Sequence, residues 1–301
     1  MAYPTISAPY GLKPINLIGG QVFSGSTRNL SIQYGFNTSI FYGDVVGISR
    51  GYITRSIVTT GATAITGYAT GGTVGVFLGC SYTNPLTKQK AFSQYWPAGT
   101  LAGDAVAIVT DDPDTLFKTV AVTAAAGTVV GSVARGMIGL NVTGSNLPAG
   151  STATGNSSNG IVPSVAVENT ASLPFRIVDV VPDTAIVSNA SLTSGGGTTS
   201  LVVGNLTSTL PIGTEVGYIA ANGQYIGTGS WVSAAVTGTG TQTISINTQA
   251  VTVNSPTGTA STGITIPAAS TLVFTQYPEA VVKFNFGIHE YYNTAGQAST
   301  L

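Results

Sequence analysis

Charge is what this chain has least of. Only 7% of its 301 residues are Asp, Glu, Lys or Arg, whereas an ordinary soluble domain carries roughly 25%. The net charge is -1, so like-charge repulsion between copies is weak. Ordering short hydroxyl side chains at a contact costs less entropy than ordering Lys or Glu. The composition therefore favours an assembly component that packs permanently against its neighbours over an enzyme.

Several other features are scarce or missing, and each excludes a class of protein. The sequence has no cluster of Lys or Arg, which a nucleic-acid-binding surface needs. Its single cysteine, Cys80, excludes an internal disulfide and a cysteine-based metal site. No apolar run approaches the ~20 residues of a membrane helix, and the N-terminus lacks the pattern of a signal peptide. We therefore expect no cofactor and no nucleic-acid or membrane partner.

Alternating polar and apolar residues recur along the chain, and no segment keeps the periodicity of an amphipathic helix. This pattern predicts an all-β fold. The clearest example covers residues 282–288, where Val282 and Phe284 share one face. Lys283, Asn285 and His289 fall on the other face, so we expect this strand to bury one side only.

The composition changes between residues 184 and 276, where Glu215 is the only charged residue. That length suits a compact immunoglobulin-like β-sandwich. The flanking segments, 173–181 and 277–283, differ in character and are predicted to pair as strands. We therefore predict a β-rich base domain, 21–183 plus 277–301, of β-barrel or β-tulip type. The sandwich, 184–276, is inserted into it, and residues 1–20 form an extended N-terminal arm.

One pentapeptide resembles a catalytic motif. Gly47-Ile48-Ser49-Arg50-Gly51 fits the G-x-S-x-G pattern of a hydrolase nucleophile elbow, and aspartates and the sole histidine follow it in the chain. An elbow requires a strand that turns into a helix, whereas Tyr52 begins another alternating segment. Arg50-Gly51 is therefore predicted to be a hairpin turn, and no catalytic residue is predicted.

Candidate metal ligands are equally sparse. The acidic group Asp111-Asp112-Pro113-Asp114 lacks the spacing of a calcium loop, which favours a capped turn. His289 has no histidine or cysteine beside it with which to build a zinc site, so we expect it at the surface or at an interface. No metal site is predicted. A repeated Gly-Asp pair, at Gly43-Asp44 and at Gly103-Asp104, predicts turns in which Asp bonds its own backbone.

Partner contacts are predicted at both ends of the chain. The Pro-rich arm is the candidate for lying across a neighbour, and the tyrosines near the C-terminus either anchor an interface or belong to the core. The predicted arm contacts are Tyr3, Pro4, Pro9, Tyr10, Leu12, Pro14 and Ile15, and the predicted C-terminal contacts are His289, Tyr291 and Tyr292.

Three sets of motifs resemble structural proteins of tailed bacteriophages, particularly those of cyanobacterial and other marine phages. They are APYGLKP (8–14), FLGCSYT (77–83) with FSQYW (92–96), and the segment from YPE (277–279) to HEYYN (289–293). The chain is most similar to head decoration, or cement, proteins. The resemblance covers about residues 1–140, 172–183 and 277–296, and leaves out the insertion.

This resemblance implies a non-enzymatic protein that is made in the host cytoplasm and lies on the outer capsid surface of the virion. It would form homotrimers, bridge neighbouring major capsid subunits and stabilise the shell against the pressure of packaged DNA. Two alternatives remain open. One is a tail-associated or surface-exposed adhesin that binds host glycans through the insertion. The other is a hydrolase that uses Ser49.

Overall fold

The computed structural model describes residues 6–55, 73–124, 127, 129–145, 150–168, 173–197, 200–247, 266, 270–285 and 289. These residues form twenty β-strands and two single-turn 3-10 helices. The all-β prediction is therefore confirmed. Within the described ranges there is no helix with the length and hydrophobicity needed to span a bilayer.

The strands are numbered in chain order. The first ten are β1 (Lys13–Leu17), β2 (Arg28–Ser31), β3 (Ile40–Phe41), β4 (Val45–Ser49), β5 (Tyr52–Arg55), β6 (Thr73–Thr83), β7 (Lys90–Ser93), β8 (Tyr95–Trp96), β9 (Val106–Thr110) and β10 (Thr115–Val120). The next ten are β11 (Asn141–Gly144), β12 (Ile161–Glu168), β13 (Phe175–Val180), β14 (Ile186–Gly197), β15 (Ser200–Leu206), β16 (Glu215–Ile219), β17 (Tyr225–Val232), β18 (Gly240–Asn247), β19 (Thr271–Gln276) and β20 (Glu279–Phe284). The 3-10 helices are Arg135–Met137 and Pro182–Thr184.

The chain divides into two compact units. The base unit contains residues 7–130, 139–178 and 280–301, and the barrel unit contains residues 1–6, 131–138 and 179–279. The sequence predicts that residues 131–138 belong to the base domain, whereas the structure groups them with the barrel unit. A long-range hydrogen bond connects this segment to the barrel unit: the Ser132 hydroxyl donates to the Gly213 carbonyl at 3.0 Å.

The base unit consists of open sheets. One sheet has the order β1-β10-β20-β13-β11-β12, and a second has the order β2-β9-β6-β4-β5 with β7 paired to β6. β3 and β8 form a small two-stranded sheet. The segments that flank the insertion, β13 and β20, are neighbours in the first sheet. Neither sheet closes in the described part of the base unit, so the expectation of a β-barrel or β-tulip base is not confirmed.

The N-terminal segment belongs to the base unit. β1 pairs antiparallel with β10, the Leu12 N–H donates to the Gly43 carbonyl at 3.0 Å, and Leu12 is 1% exposed. Pro9 is also buried. Residues 13–17 therefore form a strand of the base unit and not an extended arm, because their pairing with β10 covers a sheet edge that β10 would otherwise leave open. Tyr3 and Pro4 lie outside the described residues.

The C-terminal strand β20 is buried on both sides, which contradicts the prediction of one solvent-exposed face. Lys283 and Asn285 are 9% and 8% exposed, and His289 is fully buried. β20 lies in the interior of its sheet, between β10 and β13, so both edges of its backbone are also paired. The Asn285 amide donates to the Leu173 carbonyl at 2.6 Å, which satisfies a polar group that burial would otherwise make costly.

In the barrel unit, six strands close in the order β14-β15-β18-β17-β16-β19. β14 makes the closure possible because it is long: residues 186–191 pair with β19 and residues 191–197 pair with β15. These strands close into one barrel, so the predicted two-sheet immunoglobulin-like sandwich is not confirmed. The barrel interior is filled by buried apolar side chains, namely Ala190, Leu192, Leu201, Val203, Leu206, Leu210, Val216, Val232, Val236, Ile244, Ile246, Ile266, Leu272 and Phe274.

Candidate functional site

The hydrolase-like motif forms a β-hairpin. Ser49 of β4 pairs with Tyr52 of β5, and the two residues between them have positive φ, 52° at Arg50 and 81° at Gly51. Two consecutive positive φ angles are typical of the type I′ turn that joins twisted antiparallel strands. The hairpin prediction is confirmed, and the strand-to-helix turn of a nucleophile elbow does not occur at this position.

The acidic group forms a capped turn, as predicted. Asp112 accepts a hydrogen bond from the Asp114 N–H at 2.9 Å, and Arg28 forms a 2.8 Å ion pair with Asp111. Lys283 lies 4.0 Å from Asp114. In the residues that the structure describes, no group of three or more His, Cys, Asp or Glu side chains is arranged to hold a metal ion.

His289 is an interior residue, so the prediction of a surface or interface histidine is wrong. It forms an isolated parallel bridge with Thr73, and its ring centroid lies 6.1 Å from that of Phe284. Burial lowers the pKa of His289, and the nearby charge of Asp111 and backbone hydrogen bonds to Asp111 and Val74 oppose this shift. A buried, neutral histidine supports packing of the base unit and is not accessible to a partner.

The first Gly-Asp pair forms a buried polar centre. Asp44 has no exposed surface, and its carboxylate accepts hydrogen bonds from the Phe41 N–H, the Ser157 hydroxyl and the Asn159 amide at 2.9, 2.6 and 2.7 Å. The Arg55 Nε forms an ion pair with the Asp44 Oδ2 at 3.0 Å. Burial raises the pKa of Asp44, while the charge of Arg55 and these hydrogen bonds lower it. The centre ties together three separate parts of the base unit and is structural.

The second Gly-Asp pair has the same local sequence but different partners. Asp104 accepts from the Thr83 N–H and hydroxyl at 2.9 and 2.7 Å, and it also binds Lys90 at 3.0 Å. These hydrogen bonds lower the pKa of its exposed carboxyl. The prediction of an Asp that bonds its own turn is confirmed for Asp44, through the Phe41 N–H, and is wrong for Asp104.

An apolar surface lies on the β6–β7 hairpin of the base unit. Leu86 in the turn is 89% exposed and Phe92 on β7 is 80% exposed. Phe92 borders a groove of about 320 Å³ that is also lined by Leu78, Ile108 and Gln94. We call this groove, together with the exposed Leu86 in the neighbouring turn, the hairpin groove. Cys80 also lines it, and burial raises the pKa of its thiol to about 12, which suits an inert packing group.

The barrel unit carries a cleft of about 300 Å³ in its wall. The cleft is lined by Arg135, Gly136, Glu215, Val216, Tyr225, Gly227, Thr228, Gly229 and Tyr277. We call it the barrel cleft. β16 lies between β17 and β19 in the sheet, and these strands contribute most of the lining, together with the single-turn helix at Arg135. Val216 also belongs to the barrel core, so the cleft reaches down to packed apolar side chains.

Two charged residues of opposite sign, Arg135 and Glu215, line the barrel cleft. The Arg135 backbone N–H donates to the Glu215 carboxylate, and the Arg135 Nε donates to the Tyr277 hydroxyl at 3.2 Å. Burial raises the pKa of Glu215, an effect that the Arg135 N–H and charge oppose. The hydrogen bond to Tyr277 raises the pKa of Arg135. The result is one acceptor group and one donor group of opposite charge in a small cavity.

Glycine shapes the floor of the cleft. A Cβ at Gly217 would lie only 2.5 Å from the Tyr225 ring, and one at Gly227 would lie 3.7 Å from it. The Tyr225 ring therefore lies against the backbone of Gly217 and covers it, yet 50% of Tyr225 remains exposed. Gly136 is equally constrained, since a Cβ there would collide with the Trp231 ring.

A β-bulge opens the wall beside this floor. Val216 pairs with Ser230 and the next residue, Gly217, pairs with Gly227, so Thr228 and Gly229 are extra residues on β17. Gly229 takes a φ of 70°, and the Thr228 hydroxyl donates to the Val216 carbonyl. Bulges of this kind are common next to functional sites because they redirect side chains and backbone.

Half of the described residues that were predicted to contact partners keep accessible surface. In the described part of the chain, Tyr10, Pro14 and Ile15 are partly exposed, and the Lys13 ammonium lies 4.2 Å from the centre of the Tyr10 ring. Pro9, Leu12 and His289 are buried, as given above. Tyr291 and Tyr292 lie outside the described residues, so their predicted contacts stay a prediction.

The residues of the barrel cleft were not predicted as a site. Glu215 carried the only available signal, as the one charge between 184 and 276. Arg135 gave no such signal, since it lies 80 residues before Glu215 in the chain. No family model, curated protein or solved structure matches this chain.

Proposed function

We propose that this protein is a non-enzymatic head decoration protein of a tailed bacteriophage. Its base unit binds the outer surface of the capsid, bridges neighbouring major capsid subunits as a homotrimer, and stabilises the shell against DNA pressure. The observation that carries this proposal is the hairpin groove, which exposes large apolar side chains on a chain that is very poor in charge.

The exposure of Leu86 and Phe92 is costly unless another molecule covers them. Fully burying one such side chain is worth about 1.5 to 3 kcal/mol, and exposed apolar patches on soluble proteins commonly mark interaction sites. Leu86 lies at the tip of the hairpin, where it protrudes most, at 89% exposure. Further exposed apolar residues of the base unit are Ile18, Val22, Tyr34 and Leu101. A neutral, partly apolar capsid surface is a fitting partner.

Many copies on one shell multiply a modest contact. A trimer that touches several capsid subunits makes its second and third contacts intramolecular, which raises the effective concentration of each. Ligands that bind only the assembled shell stabilise it by mass action. Tyr10, Pro14 and Ile15, with Tyr3, Pro4, Tyr291 and Tyr292, are proposed as additional contacts.

The experiment is cosedimentation of the purified chain with expanded, undecorated heads of the phage that encodes it, together with analytical ultracentrifugation of the chain alone. Phe92→Ser and Leu86→Ser should each weaken head binding by roughly tenfold or more, because each removes about 1.4 kcal/mol or more of apolar burial. Val187→Ser is the matched control, since Val187 is 60% exposed but lies in the barrel unit. A monomeric chain that does not bind heads would refute the proposal.

A second candidate is the adhesin, in which the barrel unit binds host glycans. The barrel cleft favours it, because it combines a half-exposed tyrosine, a carboxylate and a guanidinium in one cavity. Binding of the full-length chain to host cells, lost on Tyr225→Ala and kept on Phe92→Ser, would support this candidate.

A further inference from the structure

We propose that the barrel cleft is a binding site for a neutral saccharide, with one pyranose ring seated on Tyr225. The inference concerns the chemistry of the cleft alone and does not depend on whether the base unit binds a capsid. It follows from the aromatic platform, the pair of polar groups and the size of the cavity.

Tyr225 provides the platform. Its ring is supported from below by the backbone of Gly217 and Gly227, whose missing side chains leave the room it occupies. This backbone fixes the position of the ring before a ligand arrives. Half of Tyr225 stays exposed, so the ring is accessible to a ligand. The negatively polarised face of an aromatic ring attracts positively polarised hydrogens, and the axial C–H groups on one face of a pyranose supply such hydrogens.

Glu215 and Arg135 provide the polar contacts. A sugar hydroxyl both donates and accepts hydrogen bonds, so it can donate to the carboxylate and accept from the guanidinium. The Arg135 Nε and Tyr277 hydroxyl hold each other at 3.2 Å, and the guanidinium carbon lies 5.1 Å from the centre of the Tyr277 ring. The side chain is thereby oriented. Its terminal amino groups make no hydrogen bond or ion pair with any described residue and remain as donors.

The charges in the cleft favour a neutral ligand. Arg135 and Glu215 carry opposite charges, and no other charged side chain lines the cleft among its nine lining residues. An anionic sugar would meet the Glu215 carboxylate, and a cationic ligand would meet the Arg135 guanidinium. Glu215 is partly buried, so a negative charge beside its carboxylate would cost more than at an open surface, whereas Arg135 is exposed. A neutral polyol satisfies both groups at once.

The size of the cavity limits the ligand. About 300 Å³ is at the lower end of the range for small-molecule sites, roughly 300 to 1,000 Å³. A single pyranose ring of a longer glycan fits such a space, with the rest of the glycan in solvent. The bulge at Thr228 and Gly229 widens the mouth without disturbing the core beneath it, because the Thr228 hydroxyl replaces a lost ladder bond to Val216.

The test uses the full-length chain on an array of neutral and acidic oligosaccharides, followed by titration calorimetry with the neutral oligosaccharide that binds most tightly. Tyr225→Ala should weaken binding about tenfold or more, as expected when a buried aromatic contact is removed. Tyr225→Phe should keep most of the affinity, because the platform remains. Glu215→Gln should weaken binding through loss of a charged acceptor.

Tyr52→Ala is the matched control, because Tyr52 is 41% exposed and lies in the base unit. It should leave the affinity unchanged. Melting curves of each variant report whether the barrel still folds; if Glu215→Gln unfolds it, the Tyr225→Ala and Tyr225→Phe pair decides. The proposal is overturned if no neutral glycan binds, if acidic glycans bind more tightly, or if Tyr225→Ala binds as the parent does. None of these outcomes bears on head binding through the hairpin groove.

Discussion

Replacing Asp44 by Asn tests whether the buried polar centre holds the base unit together. The substitution keeps the size of the side chain but removes its charge, and it turns one acceptor oxygen into a donor. Asp44 receives hydrogen bonds on both oxygens, from Phe41 on one and from Ser157 and Asn159 on the other. Either orientation of the new amide therefore places a donor against a donor.

The expected loss of stability arises because the buried Arg55 side chain loses its charged partner. The Arg55 side chain is 8% exposed and forms its ion pair with Asp44 at 3.0 Å. Leaving one member of such a buried pair without its partner costs about 3 to 5 kcal/mol. For a domain of this size that loss corresponds to a fall in melting temperature of roughly 6 to 20 °C.

The assay can follow each unit separately, because the chain has two tryptophans. Trp96 is buried in the base unit and Trp231 in the barrel unit. In a Trp231→Phe background, urea unfolding followed by fluorescence reports the base unit. Asp44→Asn should lower that transition midpoint, while the Trp231 signal in a Trp96→Phe background should stay where it was.

A double variant separates the charge from the hydrogen bonds. Asp44→Asn with Arg55→Met removes both charges, so it should recover part of the stability that Asp44→Asn loses. A loss below about 1 kcal/mol for Asp44→Asn, or no recovery in the double variant, would refute the view that Arg55 is stabilised by this carboxylate.

Two further outcomes are expected in the base unit. Gly75→Ala should destabilise it by about 1 to 3 kcal/mol or more, because the new Cβ would collide with the Thr110 backbone, whereas Gly19→Ala, which has open space around it, should have little effect in the same urea assay. Acidification from pH 7 to 5 should also destabilise the base unit. Burial lowers the pKa of His289 in the folded protein, whereas a histidine in the unfolded chain has a pKa near 6.5. As the pH falls, the unfolded chain therefore takes up a proton at His289 first, which favours unfolding. His289→Gln should flatten this pH dependence of the Trp96 transition, since His289 is the sole histidine; an unchanged slope would contradict the assignment.

Much of the secondary structure could be predicted from local sequence patterns. Alternation of polar and apolar residues predicts strands because a side chain's face depends only on its own position along the strand. The Arg50-Gly51 turn was predictable for the same reason, since positive φ angles and hairpin twist are properties of neighbouring residues. The change of composition near 184 and 276 lies close to the observed unit boundaries at 179 and 279.

The candidate sites were much less predictable. Asp44 and Asp104 share a local motif, yet one is buried beside Arg55 and the other is exposed beside Lys90. The barrel cleft brings Arg135 to Glu215 from a separate segment that the sequence assigned to the other domain. Contacts of this kind depend on which strands become neighbours, and no periodicity within a segment encodes that choice.

The all-β class, the low charge and the glycine turns can be predicted from the amino-acid sequence, because these properties belong to single residues and their immediate neighbours. Which strand faces are buried depends on long-range contacts in the folded chain. β20 is paired along both edges because β10 and β13 flank it, its side chains are buried on both faces, and residues 13–17 form a sheet edge because β10 pairs with them. Burial and partner choice are set by long-range pairing, so the same residues acquire different roles according to what folds against them.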